Sequence, residues 1–284
     1  MGLTHIYVIG NGFDLLHGIP SRYKDFKLWI EYNHPDLLNR LQKYYSCDSE
    51  WWCDFEKSLG YLDIGVFRKD HYKPDSLPLN VNLSDLIERY SEKAFDKFRD
   101  DISEAFSEWI NSLDIASIVQ KMSLSTSSVT LYINFNYTDT LENCYNIPSS
   151  NVFHIHGRNS KIDEIIYGSN RTVGKILEDE YNGEYLGNEE EEDLLYAIGH
   201  MVKNTQRQIN NHPQVFCKHP KLKYITIIGY SFSEVDERYL NVLSKYNDFS
   251  QINWRISYHT CKDLIRAHRF SKEFKISKVN YFRL

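Results

Sequence analysis

The residues best suited to chemistry lie in four short segments, each directly after an apolar run that predicts a β-strand. They are Gly10-Asn11-Gly12-Phe13-Asp14, Asn134-Phe135-Asn136-Tyr137-Thr138, His154-Ile155-His156-Gly157 and Gly229-Tyr230-Ser231. Open parallel sheets bind their ligands at the carboxyl ends of the strands. We therefore expect the four segments to form one site.

Asn136 and His156 are the candidate catalytic residues. An asparagine amide can orient a water molecule or a ribose hydroxyl, and an imidazole can take a proton from either. Each residue also has a structural alternative: Asn136 as the cap of a helix that begins near Asp139, and His156 as a residue bonded within the sheet. Their occurrence together at strand ends favours general-base chemistry.

Gly10 and Gly12 follow the first predicted strand, where a turn without side chains lets a phosphate approach the amides of the next helix. The alternative is that the two glycines only shape the turn. Leu15 stands where the G-x-G-x-x-G motif has its third glycine, and the region around Glu31 looks helical rather than like a strand ending in a ribose-binding acid. These departures disfavour a conventional Rossmann dehydrogenase.

The sequence gives no reason to expect a metal. His154 and His156 lie two residues apart on a predicted strand and so share a face, which would suit a pair of ligands. However, no Cys or further His stands at ligand spacing nearby, and Asp163 lies across a polar turn. The five cysteines contain no C-x-x-C pair, which fits reduced thiols and provides no zinc framework.

Short apolar runs bounded by Asn, Gly or Ser predict the strands. They cover residues 5–9, 129–133, 152–155, 165–167, 224–228 and 254–258. Helical patterns lie between several of them, and the clearest covers residues 83–113. Strands that alternate with helices predict an α/β class with a parallel sheet covered on both faces. Residues 21–125 then form a helical insertion after the first strand, within a single domain of residues 1–284.

Two acidic positions have plain structural interpretations. Glu56 borders the apolar face of a helix predicted for residues 50–59, so it is either a solvated edge or a buried partner of Arg or His. The acidic run at residues 189–193 is typical of a solvated helix start rather than a metal site.

Composition excludes several classes of function. The 284 residues carry a formal net charge of −6 with no block of five basic residues, which argues against general nucleic-acid binding. No run approaches the ~18 apolar residues of a membrane span, and no basic region leads into an apolar one at the start. The sequence predicts a cytoplasmic protein that does not bind membranes.

Residues 10–20 resemble, without a gap, the sirtuin NAD-binding segment that begins Gly-Ala-Gly and ends Gly-Ile-Pro. In the same order, Asn136 lies in a segment similar to the Asn-containing strand end of sirtuin-like hydrolases, and His156-Gly157 is similar to their His-Gly. Residues 229–231, followed by Asp236, resemble their Gly-x-Ser segment. The resemblance implies a sirtuin-like Rossmann-type core.

A closer similarity is to the AbiH family of bacterial phage abortive-infection proteins. Its pattern is Gly-Asn-Gly-Phe-Asp-Leu, Trp-x-x-Phe-Glu, Asn-Phe-Asn-Tyr-Thr and Ile-His-Gly, and all four parts occur between residues 4 and 240. Trp51 or Trp52, with Phe55 and Glu56, supplies the second part. This resemblance implies a role in defence against phage, usually through self-toxicity.

The sirtuin resemblance implies hydrolysis of NAD to nicotinamide and ADP-ribose. Asn136 would position the nicotinamide ribose and the attacking water, and His156 would be the general base. The implied nucleotide contacts are Gly10, Asn11, Gly12, Phe13, Asp14, Tyr137, Gly229, Ser231 and Asp236. Deacetylating sirtuins carry a zinc bound by two Cys pairs that this chain lacks, so protein deacetylation is disfavoured.

Asp14 stands where sirtuins have a small hydroxyl residue. It could cap the helix, bind ribose hydroxyls, or indicate a ligand other than NAD. The alternative function is a non-catalytic nucleotide-binding sensor or toxin subunit that acts through a defence-system partner. The sequence also leaves open whether the protein forms a homo-oligomer.

Overall fold

The computed structural model of the chain describes residues 2–45, 47–48, 50–71, 83–158, 165–172, 174–176, 178 and 189–284. The chain divides into two compact units. The first consists of Met1–Arg22, Ile110–Ile166 and Asn204–Leu284, and the second of Tyr23–Trp109 and Tyr167–Lys203.

A six-stranded parallel sheet forms the centre of the first unit. Its strands are β1 (His5–Ile9), β2 (Thr130–Asn134), β3 (Val152–His154), β4 (Tyr224–Ile228), β5 (Asn253–Tyr258) and β6 (Val279–Arg283). They lie in the order β3-β2-β1-β4-β5-β6, which is that of doubly wound Rossmann-like sheets. The predicted α/β class with a parallel sheet is confirmed.

β1 lies between β2 and β4 and has a hydrophobic layer on each face. Ile6 and Val8 belong to one buried cluster, and Tyr7 and Ile9 to the other. Successive side chains of a strand point to opposite faces, so a strand covered on both sides must be apolar at every position. This requirement explains why the run is continuously apolar rather than alternating.

The helices of both units are short, apart from one. In chain order they are α1 (Asn11–Leu16), α2 (Tyr23–Asn33), α3 (Pro35–Tyr45), α4 (Phe55–Ser58), α5 (Ile64–His71), α6 (Leu83–Ser112), α7 (Thr140–Tyr145), α8 (Glu189–Met201), α9 (Thr205–Asn211), α10 (Glu237–Tyr246) and α11 (Cys261–Glu273). The predicted long helix is confirmed as α6. Within the described ranges, no helix combines the length and the apolar character needed to cross a membrane.

Two predicted elements were wrong, and one strand was not predicted. Residues 165–167 form no strand: Ile166 N–H donates to His156 O at 2.8 Å, but no ladder follows. Residues 50–59 form a 3₁₀ turn at Trp51–Cys53 followed by α4 rather than one helix. β6 was missed because it is an edge strand, whose exposed Asn280 and Arg283 interrupt the apolar pattern.

The turns after β1 and β4 pack backbone against backbone. Gly12 N–H donates to Gly229 O at 2.8 Å. A Cβ atom at Gly12 would lie 2.7 Å from Gly229 Cα, and one at Gly229 would lie 2.3 Å from Phe13 N. Gly229 also has a φ of +65°, in the left-handed region. This contact alone requires glycine at positions 12 and 229. The presence of the two glycines is therefore explained without assuming that the turn binds a phosphate.

Buried ion pairs occur inside the second unit. Both oxygens of Glu56 accept hydrogen bonds from Lys203 Nζ at 3.1 Å, and the two residues are only 6% and 3% exposed. The solvated-edge interpretation of Glu56 is therefore wrong, and its buried partner is a lysine. Asp193, the last residue of the acidic run, is buried against Arg68 Nε at 3.2 Å, whereas Glu192 before it is exposed, as expected of a solvated helix start.

The glycine contact predicts a graded series of alanine variants. Gly18→Ala should cost about 1 kcal/mol, because Gly18 has a φ of +82° but open space around it. Gly12→Ala should cost about 1–3 kcal/mol through the clash. Gly229→Ala combines clash and strain and should cost more than about 3 kcal/mol. Urea unfolding measures all three, and equal costs at Gly18 and Gly229 would contradict the tight contact.

The Glu56–Lys203 pair predicts a second effect on stability. Glu56→Gln leaves the buried ammonium of Lys203 without its counter-charge, which should cost about 3–5 kcal/mol of unfolding free energy. A second change, Lys203→Met, should restore most of this loss because it removes the stranded charge. Thermal and urea unfolding of the single and double variants check the expectation, and a double variant no more stable than Glu56→Gln would refute it.

Candidate functional site

The four polar segments lie at one edge of the sheet. The last residue of β1, Ile9, is in register with Asn134 of β2 and Ile228 of β4, and Asn134 is in register with His154 of β3. Neighbouring strands lie about 4.8 Å apart, so the strand ends from β3 to β4 span about 15 Å. This distance is within the reach of one dinucleotide-sized ligand.

Asp14 is a buried carboxylate of α1, with 1% exposure. Its Oδ2 accepts a hydrogen bond from Thr138 Oγ1 at 2.7 Å, and Thr138 in turn contacts Thr140 Oγ1 at 2.9 Å. Gly10, rather than Asp14, precedes the first turn of α1, so Asp14 does not cap this helix. Helix capping, one of the three roles considered for Asp14, is therefore wrong.

Burial raises the pKa of the Asp14 carboxyl to about 6, because desolvation penalises its charged form. The hydroxyls of Thr138 and Thr140 and the amide of Asn136 act in the opposite direction and lower the pKa. The positive charge available at His154 has the same lowering effect. The net result is a carboxyl that changes charge state just below neutral pH.

Asn136 is 4% exposed and lies close to Asp14. Its backbone N–H donates to Asn134 Oδ1 at 3.1 Å, which holds the turn after β2. Among the residues that the structure describes, neither Nδ2 nor Oδ1 of Asn136 has a partner in good hydrogen-bond geometry. It therefore does not cap α7. A buried amide without partners costs about 1–3 kcal/mol, so the group is poised for a ligand rather than for stability.

His156 and Asp236 form a buried pair. His156 Nε2 lies 3.2 Å from Asp236 Oδ1, and the two residues are 3% and 8% exposed. The imidazole also meets the ring of Phe135 edge-on, with centroids 5.2 Å apart. Tyr230 Oη donates to Asp236 O at 3.2 Å and so steadies the residue that precedes α10. The contact between Nε2 and the carboxylate is at ion-pair distance but outside good hydrogen-bond alignment.

The remaining candidates contribute unequally. Asn11 faces Ser21, with Nδ2 donating to Ser21 O at 2.8 Å, and Phe13 is fully buried in a hydrophobic cluster. Tyr137 Oη donates to Ile166 O at 3.1 Å, and Ser231 is exposed.

The amides at the start of α1 are engaged within the protein. Gly12 N–H donates to Gly229 O at 2.8 Å, and Phe13 N–H donates to Gly10 O at 2.9 Å. A phosphate at this turn would therefore have to use other donors.

His154 and His156 do not share a face. β3 ends at His154, so the alternation of a strand does not continue to His156. His154 Nε2 instead lies 2.9 Å from Glu142 Oε1 of α7 and 3.7 Å from Asp139 Oδ1. No spacing in the sequence identifies Glu142 and Thr140 as neighbours of the candidate site, because only the packing of α7 beside β2 and β3 brings them there.

The parallel sheet defines a Rossmann-like α/β protein, and the buried Asp, Asn and His–Asp pair at its carboxyl edge form a candidate site. The family model described as "Bacteriophage abortive infection AbiH" matches residues 6–258, and the chain belongs to this family. Membership implies a role in abortive infection by bacteriophage. Searches of curated proteins and of solved structures found no match.

The environment of Asp14 predicts a pH-dependent stability. Its folded-state pKa of about 6 lies above the ordinary value of 3.8, so the folded state holds the proton more tightly. The contribution of Asp14 to stability is therefore greatest below about pH 4 and falls as the pH rises to about 6, by about 3 kcal/mol. Asp14→Asn, a neutral isostere, should be more stable than the wild type at pH 7.5.

Urea unfolding of both proteins at pH 4 and pH 7.5 measures this difference. The gain from Asp14→Asn should shrink at pH 4, where the wild-type carboxyl is protonated in the folded state and partly protonated in the unfolded state. Other titrating groups cancel in the comparison because both proteins share them. A variant that is equally destabilised at both pH values would show that the carboxylate is well compensated in the fold.

Proposed function

We propose that this AbiH protein hydrolyses the bond between nicotinamide and ribose in NAD, releasing nicotinamide and ADP-ribose. The observation that carries the proposal is the Asn136 amide, which is buried at the carboxyl edge of the sheet with neither polar atom satisfied by the described residues. The His156–Asp236 pair after the neighbouring strand β3 supports it. Loss of NAD fits a defence that works by self-toxicity.

The proposed reaction requires few catalytic groups. Nicotinamide leaves as a neutral molecule from a cationic pyridinium, so no strong general acid is needed. The transition state resembles an oxocarbenium ion and needs one oriented water molecule to attack it. In the proposal, Asn136 positions the ribose and the water, and His156 takes the proton from the water. Asp236 stabilises the imidazolium that forms.

Asp14 has a place in the same proposal. Among the described residues, its Oδ1 has no hydrogen-bond partner, while Oδ2 is bonded to Thr138. A carboxylate oxygen accepts hydrogen bonds from ribose hydroxyls, whereas it would repel a phosphate. We therefore assign Asp14 to ribose binding. Gly10, Gly12, Gly229 and Ser231 would then line the phosphate side.

Substitution of the two catalytic residues tests the proposal. Asn136→Ala and His156→Ala should each reduce nicotinamide release by about 100-fold to 10,000-fold, because each removes a group that positions or activates the water. The same variants should abolish cellular toxicity. Chromatography of purified protein incubated with NAD measures the product.

His259→Ala is the matched control, because His259 is an exposed imidazole of the same unit. Its activity should equal that of the wild type. Thermal melting of every variant separates lost chemistry from lost folding. Tight NAD binding by the wild type without turnover would replace the hydrolase with the nucleotide-sensing alternative, and toxicity that survives in both catalytic variants would refute the proposed chemistry.

A further inference from the structure

Three side chains that the proposed hydrolysis does not use come together beside β3. They are Asp139, Glu142 and His154, here called the His154 cluster, and their nearest ligand atoms all lie within 4.8 Å of one another. His154 Nε2 is 2.9 Å from Glu142 Oε1 and 3.7 Å from Asp139 Oδ1. Ligands on one cation, at bonds of about 2.0–2.2 Å, are separated by about 3–4.4 Å.

Local structure holds the cluster in place. Asp139 directly precedes α7 and Glu142 lies three residues later in its first turn, so both carboxylates project from one side of the helix. His154 is the last residue of β3, and its side chain is 7% exposed. Asn134, its neighbour in the sheet, lies behind the ring, with Nδ2 3.4 Å from His154 Nδ1.

The cluster combines two carboxylates with one imidazole. Among the described residues, Arg158 also approaches it, with Nη1 3.9 Å from Asp139 Oδ1. Glu142 Oε2 is shielded from solvent and accepts no hydrogen bond from the residues that the structure describes. A buried carboxylate oxygen left in this state is costly unless a cation or a donor meets it.

A cavity of 420 Å³ opens next to the cluster. Glu142 and His154 both line it, together with Arg158, Gln208 and His212. Its size leaves room for water molecules or an oxygen-bearing ligand beside the two cluster residues. Protein ligands beside open space are the arrangement found in metal sites with exchangeable positions, and Glu142 and His154 meet this condition.

We propose that the His154 cluster binds a divalent transition-metal cation through His154 Nε2 and one carboxylate oxygen each from Asp139 and Glu142. One imidazole with two carboxylates suits Mn²⁺ or Zn²⁺ better than Mg²⁺ or Ca²⁺, which prefer all-oxygen sites. The cation takes the place of the Nε2 proton that now faces Glu142. The ring proton then resides on Nδ1, and the long contact from Asn134 is given up.

The site is independent of NAD hydrolysis, whose chemistry above needs no metal. The pattern of the sequence could not reveal it, because the carboxylates belong to α7 and the imidazole to β3. The cation would fix α7 against the end of β3, on the side of β2 away from the glycine turns.

Calorimetric titration of the untagged, EDTA-stripped chain with Mn²⁺ and with Zn²⁺ tests the proposal. One ion should bind per chain. Glu142→Gln keeps the acceptor for Nε2–H but loses the charge, and it should weaken binding by more than about 100-fold, as should His154→Ala. Thermal melting without metal shows that each variant is folded, and Glu142→Gln serves if His154→Ala is not.

Glu237→Gln and His259→Ala are the matched controls, since Glu237 is an exposed acid in the first turn of α10 and His259 an exposed imidazole. Both should bind the ion like the wild type. Electron paramagnetic resonance of Mn²⁺ gives an independent count of bound ions. Absence of binding in the wild type, or equal binding in Glu142→Gln, overturns the proposal whether or not the chain cleaves NAD.

Discussion

The contact between the two glycine turns is the constraint on which the rest of the site depends. It lies between β1 and β4, where the strand order of the sheet changes direction. Because neither Gly12 nor Gly229 has a side chain, the backbones approach to a 2.8 Å hydrogen bond. The contact places the start of α1, which carries Asp14, against the loop that leads to Asp236. Both polar groups of the site are positioned relative to it.

The two polar groups are stabilised in different ways. The carboxylate of Asp236 lies 3.2 Å from an imidazole nitrogen, whereas the carboxylate of Asp14 is contacted mainly by neutral hydroxyl and amide groups, with His154 as a weaker electrostatic influence. In a buried environment, an imidazole can compensate the charge of Asp236, whereas neutral groups compensate that of Asp14 less well. The buried carboxylate of Asp14 lies next to the Asn136 amide. Both groups reduce the stability of the free protein, and a ligand that bonded to them would restore it.

Sequence patterns predicted the sheet well because its inner strands are continuously apolar. β1 and β4 have the predicted bounds, and β2 differs by one residue at each end. The pattern failed at β6, where an edge position allows polar residues, and at residues 165–167, which are apolar without belonging to the sheet. An apolar run indicates that a segment is buried, but burial alone does not determine whether the segment pairs with a neighbouring strand.

The site was predicted in location but not in connectivity. Asn136 and His156 were found because polar residues after strands of one parallel sheet must share an edge. The bond of Asp14 to Thr138 joins residues 124 positions apart, and no spacing rule reveals it. His154 was misjudged for a different reason: the alternation argument holds only while the strand continues, and β3 stops there.

The position of β1 has a consequence for biosynthesis. This strand is made first, yet its partners come much later, as the 221-residue separation between His5 and Thr226 shows. In a fold with such high contact order, the entropy of closing long loops is lost before the native contacts form. A nascent chain that ends before Tyr224 lacks β4, the second glycine turn and Asp236, the partner of His156. Such truncated translation products cannot assemble the candidate site, and under the proposed function they would be inactive.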